Sequence, residues 1–295
     1  MSDTLLVTGA SGHLGRRVIH HLLQTLKVPA GRIIATTRKP ETLADLAALG
    51  VVVRQADFDD SASLAQAFEG AQCLLLVSTD ALDRPGRRLE QHQAAVAAAV
   101  KAGVKHVVYT SMPQPEPGSP IPFAPDHFGT EQALAASALT WTVLRNCWYM
   151  ENLQMNLPQV LAGGHWYTAA GEGKIAHISR DDCAHAAALA LASAATDKVT
   201  YNLTGAAAYS TAEIAALASD VFGKPIAVVQ VSPEALAQGM TAAGVSPIFV
   251  PLLVAFDVNT AAGNVSAVSG DFTKLTGRAP RALRDFLVEN RAAFL

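Results

Sequence analysis

Three glycines, Gly9, Gly12 and Gly15, stand where the first apolar run of the chain gives way to a helical pattern. Glycine lets a backbone turn sharply and approach a ligand closely, because it has no Cβ. The N–H groups of Gly12, His13 and Leu14 would point outward from the start of that helix, where phosphate groups bind. The stretch VTGASGHLGRR therefore predicts a site for the pyrophosphate of a dinucleotide. The alternative is a glycine turn that only lets helix and sheet pack.

The end of the second predicted strand reads TTRKP and indicates which dinucleotide binds. A site for NAD usually places Asp or Glu here, where the carboxylate bonds to the ribose 2′-hydroxyl. In this chain Thr37 is followed by the cationic Arg38 and Lys39. A planar guanidinium suits a 2′-phosphate, which a carboxylate would repel. We therefore expect NADPH as the cofactor, the alternative being that Arg38 and Lys39 form a solvated loop pair.

Other candidates for contact with the cofactor lie near the ends of predicted elements. Asp57 and Phe58 close the third strand and could border the adenine, although Asp57 could equally cap a turn. The remaining candidates are Thr8, Ser11, Val77, Ser78, Thr79, Thr110, His127 and Asn146. Ligands of open parallel sheets bind beyond the carboxyl ends of the strands, so we expect these residues along one edge.

The elements that must position these residues alternate regularly up to Asn146. Strands apolar on both faces, separated by helices, predict a parallel sheet covered on both sides. Right-handed crossovers then give an α/β doubly wound fold of the Rossmann kind. The predicted strands are 4–8, 32–37, 51–57, 73–78, 106–111 and 141–146, and the predicted helices are 14–26, 41–49, 61–68, 88–102 and 127–137.

Regularity fades after Asn146, and a smaller mixed lobe is expected there. We predict a dinucleotide-binding domain over residues 1–146, with 175–205 adding to it. A substrate-binding lobe would then comprise 147–174 and 206–295. Within these later segments the patterns predict strands at 165–168, 174–178 and 199–203, and helices from 180 and at 211–222, 233–243 and 280–294.

Composition excludes several classes of function. The chain has 295 residues, half of them hydrophobic, and a net charge of −3, so no broad basic surface for nucleic acid is expected. No apolar run approaches the roughly 20 residues that cross a bilayer. Cys73, Cys147 and Cys183 are far apart and show no metal-ligand spacing, which fits free thiols in the cytoplasm. Cys73 and Cys183 are expected in the core, and Cys147 partly exposed and oxidisable.

Several stretches resemble the short-chain dehydrogenase superfamily, and within it the atypical NmrA-like branch. They are VTGASGHLG, the Arg38 loop, GVKHVVYTS, HFGTE, LRNCWYMEN and GEGKIAHISRDD. The resemblance is greatest to the members of that branch that reduce quinones or triphenylmethane dyes. It implies a Rossmann fold and NADPH-dependent reduction, without flavin or metal. It covers residues 4 to about 182 and becomes looser in the last third of the chain.

The resemblance breaks at the catalytic positions. Ordinary short-chain dehydrogenases use Ser, Tyr and Lys, where the Tyr hydroxyl is the acid or base. Aligning HFGTEQAL with the start of the catalytic helix puts Ser111 in the Ser position, Phe123 in the Tyr position and His127 in the Lys position. Because Phe cannot transfer a proton, alcohol and ketone chemistry by that route is not expected.

A quinone tolerates this loss, because its ring is electron-poor and hydride addition yields a stabilised phenolate. The acceptor then needs positioning more than acid catalysis. Ser111 could donate a hydrogen bond to a quinone oxygen, or it could cap its own turn. The proton would come from solvent or from His127, whose pKa is expected in the working range. Alternatively, His127 only packs or contacts the nicotinamide ribose.

The predicted acceptor site is aromatic. Six prolines stiffen the segment 111–131, which would form one wall of the acceptor pocket. Phe123 would give this wall an apolar face for a flat ring. Trp148 and Tyr149 offer stacking surfaces. Further substrate candidates are Met112, Asn152, His177 and Phe249. The alternatives are a rigid surface loop without contacts, and aromatics that form core between two lobes.

Three functions remain compatible with these residues. The leading one is NADPH-dependent hydride transfer to a quinone or another electron-poor conjugated acceptor. The second is a redox sensor that binds NADP(H) without turnover and controls a protein partner. The third is a reductase of carbonyls, imines or dyes. A homodimer is compatible with each of them.

Overall fold

Buried apolar runs and helices alternate along the chain and build one large parallel sheet. The computed structural model describes residues 3–193 and 196–295. The strands in those ranges are β1 (Leu5–Val7), β2 (Ile33–Thr37), β3 (Val52–Gln55), β4 (Cys73–Leu76), β5 (His106–Ser111), β6 (Thr140–Asn146), β7 (His165–Thr168), β8 (Lys174–Ile175), β9 (Lys198–Leu203), β10 (Tyr209–Ser210) and β11 (Ala227–Gln230).

The helices cover both faces of this sheet and fill the last third of the chain. They are α1 (His13–His20), α2 (Ala44–Ala48), α3 (Ser61–Phe68), α4 (Arg87–Lys101), α5 (Ala124–Ala136), α6 (Leu157–Gly163), α7 (Arg180–Ala192), α8 (Thr211–Phe222), α9 (Pro233–Ala242), α10 (Val250–Ala261), α11 (Asp271–Thr276) and α12 (Leu283–Glu289).

Seven parallel strands form the central sheet in the order β3-β2-β1-β4-β5-β6-β9. The order reverses between β1 and β4, because β2 and β3 lie on one side of β1 and the later strands on the other. In such sheets the loops leave in opposite directions at the reversal and open a crevice at the carboxyl ends of the strands. The predicted doubly wound α/β fold is therefore confirmed.

Two apolar layers hold the helices on the sheet, because successive side chains of a strand point to opposite faces. Leu5 and Val7 of β1 lie in a cluster with residues of α1 and α7. Leu6 points the other way and packs with residues of α3 and α4. Burial of β1, β2, β4 and β5 on both faces accounts for their continuous apolar runs.

Beyond β6 the chain is more irregular. Strand β9 joins the central sheet beside β6, whereas β8 pairs with β10 and β7 pairs with β11 in two small sheets. A separate apolar cluster here contains Trp166, Phe222 and Phe286. The division of the chain into two domains stays a prediction.

Several predicted boundaries differ from the structure. Helix α5 begins at Ala124 and not at 127, because Pro125 fits the first turn of a helix, where no N–H is needed. After His20 the first helix widens into a π-helical turn over His21–Thr25. The helix expected at 280–294 is confined to α12, and no element had been predicted for α10.

All three cysteines are buried. This agrees with the expectation for Cys73 and Cys183, but the expected exposure of Cys147 is wrong. Its side chain packs in the core beneath β6, and burial raises its pKa to about 12, so a reactive thiolate is disfavoured. Across the described ranges, the helices are too short or too polar to span a membrane. No cluster of potential metal ligands was found in these ranges either.

Candidate cofactor and acceptor site

The glycine turn after β1 is built by close backbone contact. Gly9 has a φ of +59°, a conformation that favours glycine. A Cβ at position 15 would lie 2.4 Å from the carbonyl oxygen of Gly9. Glycine at position 15 therefore lets the first turn of α1 pack directly on the turn. Gly12 caps the same helix, whose first backbone N–H groups are free to bind an anion.

A cavity of about 450 Å³ runs along the carboxyl ends of the central strands. It lies at the crevice where the strand order reverses. Nine of the predicted cofactor residues line it: Gly9, Ser11, Gly12, Arg38, Asp57, Phe58, Val77, Ser78 and Thr79. Thr36, Thr37, Ala56, Asp80, Ala81, Asp83, Arg87 and Gln91 complete the lining. His13, in contrast, lines a neighbouring surface groove.

Two predicted threonines lie behind this cavity and hold its floor. The Thr8 hydroxyl donates to the Leu75 carbonyl at 3.0 Å and accepts from the Val77 N–H at 2.9 Å. The Thr110 hydroxyl accepts from the Ser78 N–H at 2.9 Å. These bonds fix the segment that follows β4, so their role in the structure is to shape the floor of the cavity. Direct contact of either threonine with the cofactor stays a prediction.

Arg38 brings an unneutralised cation to the end of β2. Its side chain is exposed and forms no ion pair with any residue that the structure describes. The nearby carboxylate of Asp59 is already held by Arg87 at 2.5 Å and by Gln91 at 2.9 Å. Lys39 follows and is also exposed. The edge of the cavity can therefore accept an anionic group.

Asp57 and Phe58 follow β3, the strand beside β2, and also line the cavity. The Asp57 carboxylate accepts a hydrogen bond from the Asp59 N–H at 3.0 Å, so it does cap a turn. The Asp57 N–H donates to Ser63 at 2.9 Å. Phe58 is half-buried, packs against the core under α3 and presents an apolar surface to the cavity.

Ser111 is engaged by a carboxylate. Its hydroxyl donates to Glu131 of α5 at 2.6 Å. Both oxygens of Glu131 are also held by Arg145, at 3.0 and 2.6 Å, and Arg145 reaches Glu116 at 2.7 Å. The Ser111 proton is therefore committed within an ion-pair network that ties β5, β6 and α5 together. Donation to a substrate oxygen would require Ser111 to leave this carboxylate.

His127 is a buried, neutral imidazole, and the expectation that its pKa lies in the working range is wrong. Its Nε2 accepts a hydrogen bond from Arg88 Nη2 at 3.1 Å. Its Nδ1 must then carry the proton and donate to the Tyr109 hydroxyl at 2.8 Å. Burial, with Arg88 beside it, holds the pKa of His127 well below its usual range. The side chain cannot serve as an imidazolium acid at neutral pH.

A second buried histidine connects this pair to the cavity. His92 Nε2 accepts from the Thr79 N–H at 3.0 Å, and its Nδ1 lies 2.9 Å from the Thr130 hydroxyl. Burial lowers the pKa of His92 to about 3. Sequence reasoning missed Arg88 and His92. Their helical spacing does indicate burial, because both lie on the face of α4 that carries the buried Ala95 and Ala99.

The proline-rich segment forms one wall of an aromatic cluster. Phe123 and Trp148 both contact Phe256 of α10, with ring centroids 6.4 and 5.1 Å apart. Met112 and Ile121 are buried against this cluster. The segment is therefore packed, and the alternative of a surface loop without contacts is wrong. Sequence reasoning chose Phe249, which is 54% exposed just before α10, and missed Phe256.

Tyr149 carries a hydroxyl whose proton has no acceptor within the described ranges. The oxygen accepts from Asn146 Nδ2 at 3.2 Å, and the Arg180 guanidinium lies 5.1 Å from the ring centroid. Burial raises the pKa of Tyr149, so the phenol stays protonated. Asn152 is half-buried. His177 is buried, with Nδ1 unpartnered among the described residues and a pKa lowered to about 4.

Known proteins are similar to this chain over nearly its whole length. Quinone oxidoreductase 2 of Escherichia coli (strain K12) is 36% identical over 281 residues, which are 95% of this chain and 96% of that protein. The crystal structure of an NADPH-dependent quinone oxidoreductase from Escherichia coli complexed with NADPH has a TM-score of 0.90 and 36% identity. It covers 96% of this chain and 98% of the other.

A second solved structure is similar to the same degree. The triphenylmethane reductase of Citrobacter sp. complexed with NADP(H) has a TM-score of 0.90 and 36% identity, covering 97% of this chain and 99% of the other. A family model described as the NmrA-like family matches residues 1–287. That match extends through the central sheet, the cavity and the aromatic cluster. The chain therefore belongs to the NmrA-like family.

Proposed function

We propose that the protein is an NADPH-dependent reductase that transfers hydride to quinones or similar electron-poor, flat acceptors. The observation that carries this proposal is the pairing of a cavity edged by the unneutralised Arg38 with an aromatic cluster that lacks a tyrosine acid at position 123. The quinone oxidoreductase and the triphenylmethane reductase that the chain is similar to support the same chemistry.

The residues around the cavity fit NADPH. The Gly9–Gly15 turn would hold the pyrophosphate with the N–H groups at the start of α1. Only glycine at position 15 allows this close turn, since a Cβ there would collide with Gly9. Arg38 and Lys39 would hold the 2′-phosphate, and Phe58 would pack on the adenine. When bound, NADPH supplies a hydride, and with it the two electrons of the reduction. Metal and flavin are not part of the proposal.

The aromatic cluster would bind the acceptor. Phe123, Trp148 and Phe256 offer flat, apolar surfaces to a conjugated ring. The Tyr149 hydroxyl would donate a hydrogen bond to the acceptor, because Asn146 already occupies one of its lone pairs. His127 is neutral and paired on both nitrogens, so the final proton would come from solvent.

The rival is a sensor that binds NADP(H) without turnover, and Phe123 in the tyrosine position favours it as well. Oxidation of NADPH, followed at 340 nm, separates the two against a panel of 1,4-quinones, a cationic triphenylmethane dye and simple ketones. We expect turnover with quinones, and none with ketones, which need an acid. Tight binding of NADPH without turnover of any acceptor would establish the sensor instead.

Three finer statements belong to the same proposal. The substrate-binding role of Met112, Asn152 and His177 follows from their place in the sequence pattern. A cytoplasmic location follows from the free thiols, which fit a reducing compartment. Assembly as a homodimer is the third, and sedimentation of the purified protein at several concentrations would test it.

A further inference from the structure

Arg88 is a buried cation without a carboxylate partner in the part of the chain that the structure describes. It lies in the first turn of α4 with 7% of its surface exposed. No carboxylate of residues 3–193 or 196–295 forms an ion pair with it, although Arg84 and Arg87, which both precede it in the chain, are paired. Its Nε is buried without a hydrogen-bond partner among these residues. Buried charges in proteins are normally paired, so an unpaired one indicates a function.

The surroundings of Arg88 are the residues of the proposed reaction site. Its Nη2 donates to His127, and its guanidinium carbon lies 5.2 Å from the centroid of the Phe123 ring. This ring holds the guanidinium by a cation–π contact. Asp80 and Asp126 act on Arg88 only from a distance, since neither is hydrogen-bonded to it. The charge therefore stays largely uncompensated beside Phe123.

We propose that Arg88 supplies the positive charge of the hydride-transfer site and stabilises the anion that forms on the acceptor. The inference rests on the proposed function. Hydride addition to a neutral quinone places two electrons and one hydrogen on it and leaves a monoanion, and one proton from solvent then completes the hydroquinone. A fixed cation in a water-poor site lowers the energy of that anion without reorganising.

The position of Arg88 explains how this site works without the usual residues. Phe123 cannot donate a proton, and the imidazole of His127 carries no charge. Arg88 comes from α4, reaches across to α5 and brings the charge to this place. A guanidinium remains protonated at all working pH values, so Arg88 acts by its charge and does not transfer a proton.

The test compares Arg88→Met with the wild type and with Arg88→Lys, using 1,4-quinones of graded hydroquinone acidity at saturating NADPH. Arg84→Met is the matched control, because Arg84 lies just before the same helix but is exposed and paired with Glu90. We expect kcat of Arg88→Met to fall about 10²- to 10³-fold, as for loss of an oxyanion donor. The loss should be largest for quinones with the least acidic hydroquinones. Arg88→Lys should recover part of it, and the Kd of NADPH, from fluorescence titration, should stay within about twofold.

Three results would overturn the proposal. One is a kcat of Arg88→Met within about threefold of the wild type. Another is a loss of kcat that does not depend on the acidity of the hydroquinone. The third is a weakening of NADPH binding by the same factor as the loss of kcat. If Arg88→Met does not fold, Arg88→Lys decides by its kcat, which must depend on hydroquinone acidity more steeply than that of the wild type. Absence of turnover in the wild type would overturn the proposed function as well, so the two failures are distinguishable.

Discussion

The hydroxyl of Ser111 donates a 2.6 Å hydrogen bond to the carboxylate of Glu131, so the serine at the end of β5 is tied to α5. Glu131 also accepts two hydrogen bonds from Arg145, at 3.0 and 2.6 Å. This arrangement assigns Ser111 a role in stability. The catalytic role expected for Ser111 stays a prediction, and it would require the hydroxyl to leave Glu131.

Replacement of Ser111 by Ala tests that assignment. We expect the free energy of unfolding to fall by about 1–2 kcal/mol, since one buried hydrogen bond to a charged group is lost. Turnover of quinones should stay within about threefold, because the hydroxyl proton is already donated to Glu131. Urea unfolding and steady-state kinetics measure the two quantities. A hundredfold fall in kcat at unchanged stability would restore Ser111 as a catalytic residue.

Gly15→Ala should damage the cofactor site. The new Cβ would lie 2.4 Å from the Gly9 carbonyl oxygen, so either α1 or the turn must shift. We expect NADPH binding to weaken by at least about tenfold, because the N–H groups of the turn move. Gly239→Ala in α9 is the control, since nothing lies within 4 Å of its added Cβ. It should stabilise the protein by about 0.5–1 kcal/mol. Equal NADPH affinity in both variants would argue against the glycine cradle.

Arg38→Asp should reverse the coenzyme preference. The substitution removes the cation at the end of β2 and places a carboxylate where a 2′-phosphate would lie. We expect kcat/KM for NADPH to fall about 10- to 100-fold, as for loss of a charge-assisted hydrogen bond, whereas kcat/KM for NADH should rise. Lys101→Asp, at the exposed end of α4, controls for the change in net charge. NADPH selectivity that survives Arg38→Asp would show that another group binds the phosphate.

Buried histidines should make stability depend on pH. The pKa of His177 is lowered to about 4 and that of His92 to about 3, whereas both titrate near 6.5 when unfolded. Below pH 6.5 the unfolded chain binds protons that the native chain does not, so stability falls as pH falls. Each histidine contributes up to about 1.4 kcal/mol per pH unit down to its native pKa. Above pH 6.5 both are neutral in either state and contribute no slope.

Urea unfolding at several values between pH 7.5 and 5 measures this slope. Asp126 and Asp257, whose pKa values are raised by burial, act in the opposite sense, so the measured slope is the histidine contribution reduced by theirs. His165→Asn is the control, because His165 is exposed and should leave the slope unchanged. Equal stability at pH 7.5 and 5 would contradict the neutral, buried state of these histidines.

The sequence was sufficient for the fold, because the inner strands β1, β2, β4 and β5 are buried on both faces and appear in the sequence as continuous apolar runs. The glycine turn and Arg38 were also readable, since they depend on local backbone geometry and on one residue after a strand. Contacts between elements that are distant in the sequence could not be predicted in this way. Nothing in the local pattern predicts that Phe256 meets Phe123, or that Glu131 accepts the hydrogen bond of Ser111.

The error over His127 has the same origin. Its residue type predicts a pKa near neutrality, but the pKa depends on desolvation and on Arg88, which lies 39 residues earlier in the chain. The helical spacing on α4 did indicate that Arg88 is buried. Arg88 and His92 share a face with buried alanines, which is an unusual position for an arginine.

The central claim is that NADPH bound in this cavity reduces a flat acceptor without a tyrosine acid. A single-turnover experiment tests it most directly. Protein in excess over NADPH is mixed with a 1,4-quinone in a stopped-flow instrument, and absorbance at 340 nm is followed, with a simple ketone as the parallel acceptor. We predict complete oxidation of the bound NADPH by the quinone and no reaction with the ketone. Bound NADPH that remains reduced in the presence of the quinone would contradict the account.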